Sequence, residues 1–314
     1  MPLDGCAHSF GIVLCSAVLL DAVLGDPQNF PHPVVMIGRV IGFWHKRLFT
    51  SSRKFYRGLI LCVLTLSITG LTVWLVLWLT EYHLLVKVYL IYSALAWRDL
   101  KDETAPILAW LMRHDLKSAR EYLSRVVGRD TERLDEQEIT RAVIETIAEN
   151  SIDGVISVMF FAGLGQVLNA DYGACMCVWL FKAVSTLDSM VGYETLGRYG
   201  TPSARLDDMM NFLPARLGGL VIVCSGRKGL HVFLRDRLKH KSPNSAHGES
   251  AFAGVLGVRL GGGAYYGGTF EPREYINPEG RYARPEDIIS AWRVLDESCA
   301  LFMILVMLSA CITH

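Results

Sequence analysis

The stretch LILCVLTLSITGLTVWLVLWLT, residues 59–80, carries no charged side chain. A helix of about 22 residues rises about 33 Å, the thickness of a bilayer's hydrocarbon core. A chain with such a segment is expected to fold in lipid. There every backbone N–H and C=O must be satisfied internally, so the spanning parts must be helical. The composition agrees. The 314 residues are 51% hydrophobic and 20% charged, more apolar than an ordinary soluble domain.

Other apolar blocks are shorter. Residues 10–25 are broken by Ser16 and Asp21, and they lack the basic start and small-residue cleavage site of a removable signal peptide. Residues 84–97 hold Lys87 near their start, where its ammonium can snorkel to the interface. Residues 155–168 and 173–187 are each short of a span and suit a tight hairpin or re-entrant pair, and residues 299–312 close the chain. The expectation is one all-α, polytopic membrane domain over residues 1–314, with helical polar segments at 98–150 and 198–293.

Arg39, Lys46, Arg47, Arg53, Lys54 and Arg57 crowd one acid-free loop, which places that loop on the cytoplasmic side. Both large polar regions then fall on the same face. A formal charge of zero argues against nucleic acid as a partner. Eight cysteines without a C-x-x-C pair argue against a zinc or disulfide framework and read as small buried hydrophobes.

In the polar middle, Asp115 is placed as an N-cap and Gly128 as the stop of the helix it opens. Asp135 with Glu138 reads as a capping box. Arg141, Glu145, Glu149 and Asp153 recur every fourth residue and share one stripe if the helix continues into the apolar block beyond. A solvated charged face is the plain reading, yet charge at a membrane boundary must meet water, a partner or a ligand. Gly261–Gly263 and Gly267–Gly268, around Tyr265 and Tyr266, read as a loop; no nucleotide fingerprint is present.

Five stretches can carry chemistry. In GDPQNFPHP, prolines hold His32 beside Asp26. In ENSIDG, Glu149, Asn150 and Asp153 lie together. In KAVSTLDSM, Lys182 needs an anion and Asp188 follows. In RLDDMMNFLPAR, Asp207 and Asp208 suit a hydrated Mg²⁺, with Arg205 and Arg216 suited to phosphate oxygens. In SPNS, Ser242 and Asn244 add polar groups, and Glu249 follows.

Taken in order, LLDAVLGDPQNFPHPVVMIG, RVVGRDTERLDEQEI, ETIAENSIDGV, STLDSMVGYE, RLDDMMNFLPAR, SPNS and AFAGVLGVRLGGGAYYGG resemble the CobD/CbiB family, the adenosylcobinamide-phosphate synthases of cobalamin biosynthesis. Ser185 departs from the family's pattern, where many relatives carry Asn. A more distant resemblance is to inner-membrane proteins of the AmpE type. The CobD/CbiB resemblance implies a multi-pass enzyme of a bacterial or archaeal cell membrane with a cytoplasmic active face. It would join a corrin propionate carboxyl of adenosylcobyric acid to aminopropanol or its O-phosphate, using ATP and Mg²⁺. Other membrane enzymes of the late corrin pathway are candidate partners.

On that basis Asp207 and Asp208 are expected to hold the metal. Glu149 or Asp153 would take the proton of the attacking ammonium, with His32 as the competing base. Asp26, Asn150, Lys182, Asp188, Arg205, Arg216, Ser242 and Asn244 are expected to bind substrate or phosphate. All are expected to converge at the inner lipid–water border. A membrane carrier of a small anionic metabolite is the alternative, since short broken helices and Lys182 suit it.

Overall fold

The computed structural model describes residues 4–26, 32–49, 54–169, 172–192 and 194–312. Of the two prolines expected to clamp His32, Pro31 lies outside the described residues, as do Pro27 and Tyr193, while Pro33 opens the helix that follows. The helices are α1 (Asp4–Leu24), α2 (Pro33–Leu48), α3 (Lys54–Leu79), α4 (Leu84–Tyr92), α5 (Trp97–Leu111), α6 (Leu116–Leu123) and α7 (Glu136–Ser151). They continue with α8 (Ser157–Leu168), α9 (Gly173–Val191), α10 (Thr201–Met210), α11 (Phe212–Gly226), α12 (Leu230–Asp236), α13 (Ser245–Leu256) and α14 (Glu286–Ile312). Four short strands, β1 (Leu260–Gly261), β2 (Ala264–Tyr266), β3 (Thr269–Glu271) and β4 (Tyr275–Ile276), are the only strands among the described residues. The protein is an all-α membrane protein. Among the described residues three helices are long and apolar enough to cross a bilayer: Lys54–Leu79, Glu136–Leu168 and Gly173–Val191.

Two details of the expected membrane segments differ from their sequence outline. The apolar block that starts at Val155 belongs to a helix that begins at the Asp135 capping box. The block at 84–97 forms a helix of 9 residues, α4, and then turns, too short to cross a bilayer alone.

The chain divides into two compact units: 1–96, 157–211 and 304–314 in the first, 97–156 and 212–303 in the second. In the first unit, α8 and α9 form an antiparallel hairpin. A β-carbon on Gly165 would meet the carbonyl of Gly173, and one on Gly173 would meet the carbonyl of Gly165. The two backbones therefore touch where only glycine fits, the close approach that small residues permit between membrane helices. Trp179 on α9 is buried and donates its indole N–H to the Leu90 carbonyl (3.0 Å). Phe181, Leu187, Leu61, Leu77 and Ile91 are buried in the same unit.

In the second unit, the capping box is formed in both directions: Glu138 N–H donates to Asp135 Oδ1 (2.8 Å) and Asp135 N–H to Glu138 Oε2 (3.0 Å). Asp115 caps α6 as expected, accepting from Ser118 N–H at 3.1 Å. That helix, however, stops at Leu123, and Gly128 lies beyond its end. The start of α14 is pinned to α5: Trp292 Nε1–H donates to Thr104 Oγ1 (2.9 Å), Trp97 Nε1–H to Asp296 Oδ1 (2.8 Å), and Lys101 pairs with Asp296.

The glycine-rich stretch forms structure where a loop is expected. β2 and β3 form an antiparallel hairpin closed by Gly267 and Gly268 at φ 55° and 79°. A two-residue turn with both central φ positive matches the right-handed strand twist, and glycine adopts it without strain. Its tip is held by Asp130, which accepts the N–H groups of Gly267 (3.0 Å) and Gly268 (2.7 Å). The cysteine expectation also holds only in part. Cys62, Cys175 and Cys299 are buried, but Cys15 and Cys224 are exposed.

Candidate functional site

The expected residues fall in both units, and each unit builds its own polar cluster. In the first, His32 is the N-cap of α2. Its Nδ1 accepts from Val34 N–H (3.3 Å), while Nε2 lies 3.3 Å from Asp26 Oδ2. A ring nitrogen that accepts from the backbone carries no proton, so the proton sits on Nε2, facing the carboxylate. His32 is thus a cap oriented by Asp26, and its free lone pair is already in use.

Asp207 and Asp208 are neighbours on α10, and successive helical residues point about 100° apart. Asp207 Oδ2 accepts from Asn211 Nδ2 (3.1 Å), and Ser157 Oγ donates to Asn211 Oδ1 (2.8 Å). Asn211 is buried, with both ends of its amide engaged. Asp208 instead repels Asp188 on α9. Lys182 lies half-buried on α9, and Arg205 is exposed on α10. Among the described residues no group of three or more His, Cys, Asp or Glu side chains is arranged to hold a metal. The repelling pair Asp188 and Asp208 still fits Mg²⁺, which keeps most of its waters and takes one or two carboxylates alongside substrate phosphates.

The second unit holds a denser cluster. Glu145 is buried on α7, so the stripe is not a solvated face. Its carboxylate meets Arg129 Nη2 at 2.7 Å and Arg141 Nε at 3.6 Å, and it accepts Gly261 N–H at 2.8 Å. Arg141 donates onward to the carbonyls of Gly261 (2.6 Å) and Gly263 (3.2 Å). The stripe thus ties the long helix to the glycine-rich strands. Burial alone would lower Arg129, but Glu145 outweighs it and holds the guanidinium charged.

One turn on, Glu149 is exposed and Asn150 donates to the Thr146 carbonyl of its own helix (2.9 Å). Asp153 lies in a π-helical turn, Ile152–Ile156, which interrupts the four-residue spacing. Such turns are rare and concentrate at functional positions.

Glu249 on α13 faces this cluster. Burial, then Glu145 and Glu149, push its carboxyl well above the usual range against the pull of Arg129 and Arg273. Its surroundings therefore favour the protonated form. His240 Nδ1 lies 3.6 Å from Glu249 Oε1 and 3.2 Å from Ser245 Oγ. Burial and Arg273 lower the imidazole, so His240 is neutral. Close by in the chain, Arg216 Nη1 donates to Asn244 Oδ1 (3.1 Å), and Asn244 N–H donates to Ser242 Oγ (3.3 Å).

Glu145, Glu249, Arg129 and His240 are missing from the residues expected to act. The signal for Glu249 was present: it is a lone charge in SAHGESAFAG, an otherwise small and uncharged helix. Arg129 gave none, because an arginine in a charged loop reads as solvated.

Comparison with known proteins matches residues 14–295 to the family model CobD/Cbib protein. The chain is 45% identical over 281 residues to cobalamin biosynthesis protein CobD of Pelobacter propionicus, covering 84% of each chain. It is 39% identical over 316 residues to CobD of Citrobacter koseri, covering 95% of this chain and 97% of the relative. It is 38% identical over 315 residues to cobalamin biosynthesis protein CbiB of Salmonella typhimurium, covering 95% and 96%. The chain belongs to the CobD/CbiB family. No solved structure matches it.

Proposed function

We propose that this protein works in cobalamin biosynthesis as an amide-forming ligase, joining a corrin propionate carboxyl to aminopropanol or aminopropanol O-phosphate. The observation that carries this reading is the carboxylate set of the second unit: a buried Glu249 whose surroundings favour the protonated form, set against an exposed Glu149. Carboxyls in such different environments suit an acid–base pair. Amide formation needs this, because the aminoalcohol arrives as an ammonium ion and cannot attack until it loses a proton.

Glu149 takes that proton. The amine nitrogen then bonds to the activated carbonyl carbon as the C–O bond to the leaving group breaks. Glu249, in its protonated form, can donate to the oxygen on which charge develops. Arg129 and Arg141 hold Glu145 in place, and Glu145 in turn raises the Glu249 carboxyl. ATP would activate the carboxyl as an acyl phosphate, with Mg²⁺ offsetting the charge of the phosphates.

The test is the purified protein in detergent with adenosylcobyric acid, ATP, Mg²⁺ and either aminopropanol or its O-phosphate, followed by mass spectrometry. The expected product carries a new amide. Glu149→Gln should lower its rate by about 10²–10⁴-fold. An unchanged corrinoid with both aminoalcohols would defeat the ligase reading. Uptake of a small anion into proteoliposomes, again without chemical change, would favour a carrier.

A further inference from the structure

α13 begins without a side-chain cap. The side chain of its N-cap residue, Asn244, makes no capping bond to the first turn, and its Oδ1 accepts from Arg216 instead. The side chain of His247, in that first turn, has 0% of its surface exposed, and neither ring nitrogen has a partner. An orphaned imidazole costs free energy unless something meets it.

Two arginines bear on this ring. Arg216 stacks on Phe212, its guanidinium carbon 3.5 Å from the ring centroid, and also donates to the Phe212 carbonyl (2.7 Å). Arg237, the C-cap residue of α12, lies 5.8 Å over Phe233, whose ring meets His247 edge-on at 5.9 Å. The Nε of Arg237 is buried and unpartnered. Among the described residues neither arginine is paired with a carboxylate. The nearest acid in the chain, Asp236, is taken by Arg235, Lys239 and the Asn277 N–H.

We propose that Arg216, Arg237, His247 and the open first turn of α13 form a subsite for a phosphate group. Positive charge without a counter-charge, unused donors and a helix N-terminus all call for a compact oxyanion. Burial, then Arg216 and Arg237, lower the His247 imidazole to about 4. The ring is thus neutral near pH 7 and offers one N–H to an oxygen. This deepens the ligase reading and rests on it only for the source of the phosphate, which is either the aminoalcohol phosphate or ATP.

Equilibrium binding of inorganic phosphate, aminopropanol O-phosphate and ATP to the purified full chain separates these sources. Arg237→Gln should weaken inorganic phosphate and one of the two organic ligands by at least about tenfold, leaving the other within about twofold. The ligand that weakens is the one the subsite takes. His247→Gln serves as the second variant if Arg237→Gln does not fold, and the same loss is expected. Wild-type affinity for all three ligands in a folded variant overturns the subsite, as does a wild-type protein that binds none of them. If the binding losses appear but the wild type forms no amide, the subsite stands and the ligase reading falls. If amide forms and both variants bind normally, the ligase reading stands and the subsite falls.

Discussion

Arg129 Nη2 sits 2.7 Å from Glu145 Oε2, with 11% and 7% of the two side chains exposed. Replacing Arg129 with Met leaves a buried carboxylate with a more distant cation, Arg141 at 3.6 Å, and the Gly261 N–H. Losing one member of a buried pair costs about 3–5 kcal/mol. The expected outcome is a large drop in the thermal midpoint in detergent. Glu145→Gln in the same background should recover part of it, because the uncompensated charge is then gone. No recovery would mean that the pair is incidental.

Glu249 has a folded-state pKa above its ordinary value, so the fold prefers the protonated form. Below the ordinary carboxylate range both states carry the proton and nothing is lost. As pH rises past that range the unfolded chain ionises first, and stability falls until Glu249 also ionises in the fold. Glu249→Gln cannot ionise and should lack this fall. Thermal melts of both proteins from about pH 5 to about pH 8 check it. The variant should gain on the wild type as pH rises, and parallel curves would count against the assignment.

Asp236 is fully buried and accepts from Arg235, Lys239 and the Asn277 N–H. Burial works against its charge, but these donors outweigh it and hold the carboxyl below the usual range. Its stabilising contribution is therefore present above the ordinary carboxylate range and fades as pH falls through the depressed value. Asp236→Asn should cost about 3 kcal/mol near neutrality and converge on the wild type in acid. Urea or thermal unfolding at two pH values reads this directly.

Gly165→Ala sets a methyl group against the carbonyl of Gly173, which is backbone and cannot rotate aside. Overpacking of this kind costs about 1–3 kcal/mol. Gly42→Ala, inside α2, where an added β-carbon meets nothing within 4 Å, is the control and should melt no lower than the wild type, since alanine favours a helix interior over glycine.

The long apolar helix, the Asp115 cap and the Asp135–Glu138 box were legible because each is a local signal. The hairpin closed by Gly267 and Gly268 carried a recognisable Gly-Gly turn, but so many neighbouring glycines masked it. The start of α14 was harder to see. The apolar block was expected only over residues 299–312, whereas the helix begins at Glu286 and its Asp296 is claimed by Trp97 and Lys101 from nearly 200 positions away. Among the site residues, Arg216 with Asn244 and Asp26 with His32 were named from sequence and do meet. The partner of Asp208 is Asp188 rather than Asp207, a pairing between helices that spacing along one helix cannot reveal. Glu145 and Glu249 escaped for the same reason, since their neighbours come from other segments.

The π-helical turn at Ile152–Ile156 has a bearing on how the chain tolerates changes in length. A turn of this kind holds one more residue than an ordinary α-turn. Excising a single residue there would let the backbone relax into a regular helix with the flanking segments keeping their mutual orientation, whereas the same excision in the regular helix rotates one side against the other by about 100°. The deletion at the turn would leave the helix content intact and still misdirect Asp153, which lies within it. Elsewhere in the same helix, a deletion of equal size would have no spare residue to absorb it.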